Sequence, residues 1–303
     1  MKRNVMTIGS YDGLHIGHQA ILNKIIEISH HKKIESSIFF LETPPKLYFK
    51  NELVNSLITL PEERRSLIKN YGVEKIFSIE FNNKVHTMSP EDFFNKFVFS
   101  QCAVEDIVVG KDFAIGYQRR GNLEWLFNFA RDKNFSVHIV DYIKYHNHIV
   151  SSTLVREFLK KGKVDEVKEL LARPYSLYGI VKKGAGIGRR LGYPTANIEV
   201  DIRKILPLGI FAVEVNLRNE RLRGVANVGK RPTFNTLGGQ IICEVHIFDF
   251  NKDIYGELLG IKFLHKIREE KKFRSADELV CEIKNDIERA KGYFFEQMNQ
   301  KKC

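Results

Sequence analysis

From Thr7 to His18 the chain reads Thr-Ile-Gly-Ser-Tyr-Asp-Gly-Leu-His-Ile-Gly-His. Gly9 and Gly13 allow a tight turn and a close backbone approach to a ligand, with no Cβ in the way. His15 and His18 stand three residues apart with Gly17 between them. Two imidazoles so placed can donate to phosphate oxygens as charge builds in a transition state. The residues that follow read as a helix, whose first N–H groups and positive dipole end suit an anion. A lone histidine here would be read as a packed side chain. A pair, with two glycines, Tyr11 and Asp12 at a strand–helix junction, suits holding a triphosphate and exposing its α-phosphorus to attack. No third ligand stands at a spacing that would make the pair a metal site.

A second candidate lies far downstream, where Gly184-Ala185-Gly186-Ile187-Gly188-Arg189 runs on to Pro194-Thr195-Ala196-Asn197. Its glycines expose N–H groups in a concave nest for phosphate. Thr195 and Asn197 share one face of an extended chain and offer the neutral hard oxygens that Mg²⁺ prefers. Taken alone, glycine loops also make ordinary hairpin turns. Two separate nucleotide sites imply two reactions.

These segments need elements to hold them. Residues 5–8, 37–41, 75–79, 107–109 and 137–141 read as strands, and 18–29, 61–70, 90–99 and 122–133 as helices. Pro61 and Pro90 open helical first turns followed by acidic residues. The alternation implies a parallel, doubly wound α/β sheet with the first glycine turn after its first strand. Residues 152–171 read as two short helices broken near Gly162-Lys163. Beyond a seam at Arg173-Pro174 come six strand-like runs, at 178–182, 196–200, 210–217, 224–228, 242–250 and 260–265. They suggest a small antiparallel barrel. Ser275-Ala276-Asp277-Glu278 is a capping box that opens a C-terminal helix. The expected division is 1–172 and 173–303.

The 303 residues are 43% hydrophobic and 28% charged, the composition of a globular chain with a sizeable core. No apolar run is long enough to span a bilayer. The apolar stretch after Met1-Lys2-Arg3-Asn4 is too short for the core of a signal peptide. Cys102, Cys243, Cys281 and Cys303 have neither knuckle nor redox spacing, so reduced thiols and a cytoplasmic location are expected. The net charge of +11 is uneven: 24 Lys/Arg against 21 Asp/Glu in residues 1–172, and 24 against 16 in 173–303. The charges are dispersed and form no basic arm, so small anionic ligands are expected, with neither nucleic acid nor membrane as partner. Nothing in the pattern selects an oligomeric state.

The first segment is the HxGH signature of the nucleotidyltransferase superfamily, shared with class I aminoacyl-tRNA synthetases. A synthetase would carry a KMSKS-like loop, and none is present. Instead, Val150-Ser151-Ser152-Thr153-Leu154-Val155-Arg156 resembles the SSTxxR motif of bacterial bifunctional riboflavin kinase/FAD synthetases (FMN adenylyltransferases). Ser152, Thr153 and Arg156 are then expected at the same ATP as Gly9, Tyr11, Asp12, Gly13, His15 and His18. Val108–Gly116 resembles that family's flavin-proximal loop, which implies FMN contacts for Gly110, Asp112, Phe113 and Gly116.

Residues 178–197 resemble the family's kinase signature, which implies ATP contacts for Gly184, Gly186, Gly188, Arg189, Pro194, Thr195 and Asn197. Residues 224–234, 244–250, 253–256 and 268–273 resemble it too. By this resemblance Glu244 is the base for the riboflavin 5′-hydroxyl, and Arg268 and Phe273 lie at the flavin. His246, on the same strand face, is expected to be structural.

The resemblance covers nearly the whole chain and implies a Rossmann-like nucleotidyltransferase domain plus a riboflavin kinase barrel. The expected reactions are riboflavin to FMN, then FMN to FAD, with ATP and Mg²⁺. A kinase with an inactive first domain, and a flavin- or RNA-binding regulator, are the rivals. The chain departs from the family pattern at Tyr11 (usually Phe), at Thr43 within Leu41–Pro45, at Ile115 (usually aromatic) and at Ala172 (usually Gly).

Overall fold

The first strand, β1 (Arg3–Gly9), is buried throughout Asn4–Ile8, because it lies at the centre of a sheet covered on both faces. Successive side chains enter different cores. Met6 and Ile8 pack with Phe39, Phe94, Ile107 and Leu126, whereas Val5 packs with Leu22, Ile25, Ile38 and Phe40. The computed structural model describes residues 2–184, 186–231 and 240–300. Ala185, Pro232-Thr233-Phe234 and Cys303, all named above, lie outside the described residues. The chain divides into two compact units, Met1–Val155 and Arg156–Cys303.

In the first unit, β1 is followed by α1 (Ile16–Lys32), β2 (Glu35–Leu41), α2 (Pro45–Lys50), α3 (Pro61–Tyr71) and β3 (Lys75–Ile79). Then come the short α4 (Asn83–His86) and α5 (Pro90–Phe93), β4 (Ala103–Gly110), α6 (Leu123–Lys133), β5 (Ser136–Val140) and a hairpin of β6 (Lys144–Tyr145) and β7 (His148–Ile149). The sheet is parallel, in the order β3-β2-β1-β4-β5. The chain thus builds outward from β1 to one side and then returns to the other. This makes a switch point between β1 and β4, the place where such sheets bind ligands beyond their carboxyl ends. The single helix expected over 90–99 is α-helical only to Phe93 and continues as a π-turn over Phe94–Val98. The helix α2 was not legible in the sequence.

In the second unit the two short helices are α7 (Ser152–Lys160, begun in the first unit) and α8 (Val164–Leu171). The helix α8 ends at Ala172, whose φ of 52° is left-handed. That is the conformation in which glycine is the relaxed residue, so the glycine expected from the family pattern would fit here without strain. Ala172→Gly is expected to stabilise the protein by about 0.5–1 kcal/mol, read as a higher denaturant midpoint with unchanged slope.

Then follow β8 (Tyr175–Lys182), α9 (Ile187–Arg190), β9 (Ala196–Val200), β10 (Gly209–Leu217), β11 (Glu220–Arg231), β12 (Gln240–Ile247), β13 (Leu258–Arg268) and α10 (Ala276–Gln300). The six strands close into an antiparallel barrel, β10-β11-β12-β9-β8-β13. Alternation sorts its faces. Cys243, Val245 and Ile247 are buried with Ala226, Val228, Phe211 and Val213, while Glu244, His246, Asn227 and Val225 take the opposite face. On that face Ile210, Ala212 and Val225 pack against Ile287, Ala290 and Phe294 of α10. The cap of α10 is the expected Ser275, which accepts from Glu278 N at 3.2 Å. The reciprocal glutamate bond goes one residue further back, to Arg274 N at 2.8 Å.

Candidate active sites

His15 is the N-cap of α1, with extended backbone and its Nδ1 accepting from His18 N at 3.3 Å. That bond fixes the tautomer and leaves the proton on Nε2 as a donor. The two imidazoles stack with centroids 3.6 Å apart, and Tyr11 lies 4.8 Å from His18. A Cβ on Gly17 would stand 3.2 Å from His15 Cε1 and Nδ1, so a larger residue would disturb the pair. Gly13 has φ +86°, and a Cβ there would meet Ile58 Cγ2 at 2.9 Å. The turn also holds Tyr11 and Leu14 at positive φ, a strain that non-glycine residues accept only when their surroundings enforce it. Tyr11 is buried and its hydroxyl lies 2.5 Å from Thr7 Oγ1. Burial raises its pKa, so the departure from phenylalanine adds a neutral internal hydrogen bond to the loop.

The surroundings that enforce the turn centre on a residue the sequence reading missed. Arg64 is fully buried on α3. Its guanidinium donates to Ser10 O at 2.7 Å, Leu41 O at 2.8 Å, Thr59 O at 3.1 Å and Asp12 Oδ1 at 3.3 Å. Asp12, also buried, accepts from Thr59 N at 2.9 Å and Thr59 Oγ1 at 3.0 Å as well. The Asp12 carboxylate, expected among the nucleotide contacts, is therefore engaged inside the loop. Its backbone carbonyl receives Ser152 Oγ at 2.8 Å, which ties the start of α7 to the glycine turn. Ser151 caps that helix by accepting from Leu154 N at 3.3 Å. Thr153 is exposed beside it, and Arg156 follows one turn later on the same helix, where the second unit begins.

The clue to Arg64 is its spacing from Ile68, four residues on and equally buried, which puts an arginine in the apolar stripe of α3. Arg64→Leu leaves the Asp12 carboxylate buried without its cation. It is expected to cost about 3–5 kcal/mol in the first unit, seen as an early unfolding transition in urea.

The loop after β4 lies across the switch point from the glycine turn. Phe113 N donates to Gly110 O at 3.1 Å, and a Cβ on Gly110 would press on Asp112 Oδ1 at 3.2 Å. Gly116 has φ +75° and packs so closely on Pro90 that a Cβ would stand 2.7 Å from its nitrogen. Phe113 and Ile115 pack against the sheet core, so the departure at Ile115 is a packing residue. Near them is a set of rings absent from the sequence reading. Tyr48 and Phe49 on α2, Phe81 after β3, His86 on α4 and Tyr117 touch edge to face, with centroid distances of 4.5–6.4 Å. All follow the carboxyl ends of β2, β3 or β4, on the same sheet edge as the histidines, and Phe49 is 55% exposed.

In the second unit a cavity of about 280 Å³ opens on the barrel face beneath α10. Of the residues expected there, Gly186, Gly188, Thr195, Asn197, Glu244, Arg268 and Phe273 line it; Gly184, Arg189 and Pro194 do not. Gly184 packs on the Asn197 side chain, whose Nδ2 would stand 2.2 Å from an added Cβ, so a larger residue there would displace Asn197. A Cβ on Gly188 would likewise meet Tyr193 O at 2.4 Å and Thr195 Oγ1 at 3.1 Å. The glycine loop is thus packed directly onto the Pro194–Asn197 segment. His246 Nδ1 lies 2.8 Å from Pro194 O and steadies the same segment.

Glu244 is paired in register with Asn197 on one side and Asn227 on the other. Three polar side chains therefore line up across three strands, all facing the cavity. Next to Glu244, Cys243 points into the barrel, where burial pushes its thiol up to about 12 and keeps it neutral. Arg268 is braced by Asp286, with Nε and Nη2 donating at 2.8 and 2.7 Å, and lies over the Phe273 ring at 5.8 Å. Its charge is matched within the protein, which makes it a support for the cavity wall.

Thr195 and Asn197, both in the cavity lining, also suit a metal. Among the described residues no three His, Cys, Asp or Glu cluster as a metal cage. A few hard oxygens beside a phosphate nest is the arrangement for Mg²⁺ that arrives with nucleotide phosphates and keeps its waters.

A doubly wound α/β unit with a glycine–histidine turn at its switch point, followed by a small closed barrel with a polar cavity, is the arrangement of a two-domain transferase. Two family models match the chain, FAD synthetase over residues 1–154 and riboflavin kinase over residues 171–294. Among curated proteins, a bifunctional riboflavin kinase/FMN adenylyltransferase of Buchnera aphidicola subsp. Schizaphis graminum is 33% identical over 96% of this chain and 94% of its own length. One from Haemophilus influenzae is 33% identical over 95% of this chain and 94% of its own. One from Escherichia coli K12 is 30% identical over 96% and 92%. A crystal structure described as a macrolide-efflux protein from Streptococcus pneumoniae superposes with a TM-score of 0.84 at 31% identity, covering 94% of this chain and 92% of that one. This chain belongs to the bifunctional riboflavin kinase/FMN adenylyltransferase family.

Proposed function

We propose that the chain phosphorylates riboflavin to FMN in residues 173–303 and adenylylates FMN to FAD in residues 1–172, each with its own ATP. What supports this reading is that each half matches its own family model and carries its own glycine-containing loop with polar side chains beside it. In the kinase half, Glu244 takes the proton of the ribityl 5′-hydroxyl as that oxygen attacks the γ-phosphorus, and ADP leaves. The glycine nest, steadied by Pro194–Asn197, holds the phosphates. Thr195 and Asn197 would hold Mg²⁺, which when bound supplies neutralising charge to the phosphate oxygens.

In the other half a phosphate oxygen of FMN attacks the α-phosphorus of ATP, and pyrophosphate leaves. The fixed His15 and His18 imidazoles donate to the α-phosphate oxygens as charge accumulates, and no covalent intermediate forms. Ser152 and Thr153 serve the same ATP. Gly110, Asp112, Phe113 and Gly116 form one wall for FMN, and the exposed rings of Phe49 and Tyr117 offer stacking surface to its isoalloxazine. A cytoplasmic location is part of this proposal. The efflux description belongs to the Streptococcus protein. Among the described residues of this chain no helix is long and apolar enough to cross a membrane.

Product analysis over time, from riboflavin, ATP and Mg²⁺, tests the reading. FMN is expected first and FAD with pyrophosphate after it. FMN that accumulates without FAD overturns the adenylyl-transfer half, and no FMN overturns the kinase half.

A further inference from the structure

Asn227 lines the kinase cavity opposite Glu244 in the strand register, and no motif singled out in the sequence assigns it a task. Its Oδ1 is buried with no hydrogen-bond partner among the described residues. A buried acceptor left unsatisfied weakens the fold, and one that persists calls for an explanation. The Glu244 carboxylate beside it cannot provide one, because an ionised carboxylate only accepts. In the kinase reading Glu244 takes the proton of one ligand hydroxyl, so the group that answers Asn227 Oδ1, one strand over, is a second hydroxyl donor next to it. A polyol chain has that chemistry, with hydroxyls on adjacent carbons.

Building on the kinase reading above, we infer that Asn227 Oδ1 accepts a hydrogen bond from the hydroxyl adjacent to the one that is phosphorylated, the 4′-hydroxyl of riboflavin. Glu244 takes the proton of the 5′-hydroxyl. Asn227 fixes the rotation of the terminal carbons, so that the 5′-oxygen faces the γ-phosphorus. It thereby makes the site specific for a vicinal diol end. A site built to bond a substrate hydroxyl rejects the analogue that lacks it, because the acceptor is then left buried and unpaired.

The test compares riboflavin with 4′-deoxyriboflavin in the full chain, using kcat/KM for phosphorylation by ATP. Wild type is expected to prefer riboflavin by roughly 10- to 100-fold. In Asn227→Leu the preference is expected to fall to within about threefold, because the variant no longer distinguishes the two ligands. The ratio of the two constants does not depend on how much of a preparation is folded. If Asn227→Leu is too slow to measure, Asn227→Ala gives the same ratio. The Tm of ligand-free Asn227→Leu is expected to equal or exceed that of wild type, since an unpaired acceptor has been removed; a purely structural asparagine would lower it. A preference unchanged by the substitution, or no preference in wild type, overturns the inference and leaves the kinase reading intact. A wild-type chain that phosphorylates neither compound overturns both.

Discussion

Glu244→Gln is expected to slow FMN formation from riboflavin and ATP by about 100- to 10,000-fold while leaving FAD formation from supplied FMN within about twofold. Glutamine keeps the volume and the register with Asn197 and Asn227, so neither the barrel nor the cavity should change. What is lost is the site for the proton of the attacking hydroxyl. The loss belongs in kcat more than in KM, because the carboxylate acts as the oxygen attacks and not when riboflavin docks. Phosphorylation and adenylylation are followed separately by chromatography, once with riboflavin and once with FMN as the starting flavin. A Glu244→Gln variant that makes FMN at the wild-type rate would remove the base from the mechanism.

The second large effect falls on the other unit. His18→Ala is expected to lower FAD formation from FMN by about 100- to 1000-fold, the usual cost of one preorganised donor, with FMN formation unchanged. His15→Ala should be at least as damaging, because His15 is also the cap of α1 and the ring on which His18 stacks. The double variant should be only slightly worse than the worse single one, since the rings hold each other in place and act as a unit. The same FMN-fed assay reads all three. Additive losses in the double variant would mean that the histidines work independently.

These paired outcomes follow from features that differ in how openly the sequence displays them. The glycine turn and the two histidines were visible because chemistry and conformation are concentrated in a dozen consecutive residues. The parallel sheet was visible for a similar reason, since strands buried on both faces read as apolar runs. Asp12 looked like a ligand-facing acid, and only the fold shows its carboxylate bound to Arg64 and Thr59. That partnership joins residues about fifty positions apart, and no local pattern encodes it. The ring cluster at Phe49, Phe81 and Tyr117 was hidden for the same reason, as three strand connections brought together by strand order. Asn227 lies inside a segment that resembles the kinase family, but an asparagine on a strand shows no role of its own. Its meaning comes from the register with Glu244 and from an acceptor that has no partner among the described residues. The capping of α10 was readable to within one hydrogen bond, whereas the π-turn at Phe94–Val98 has no account in the sequence pattern.

The central claim is that the two sites cut ATP at different bonds. Parallel reactions of wild-type protein with riboflavin and either γ-labelled or α-labelled ATP test it most directly. Label from the γ position should appear in FMN and persist in the flavin-side phosphate of FAD, while label from the α position should be absent from FMN and enter FAD in its AMP half. FAD without α-label, or FMN without γ-label, would contradict the account.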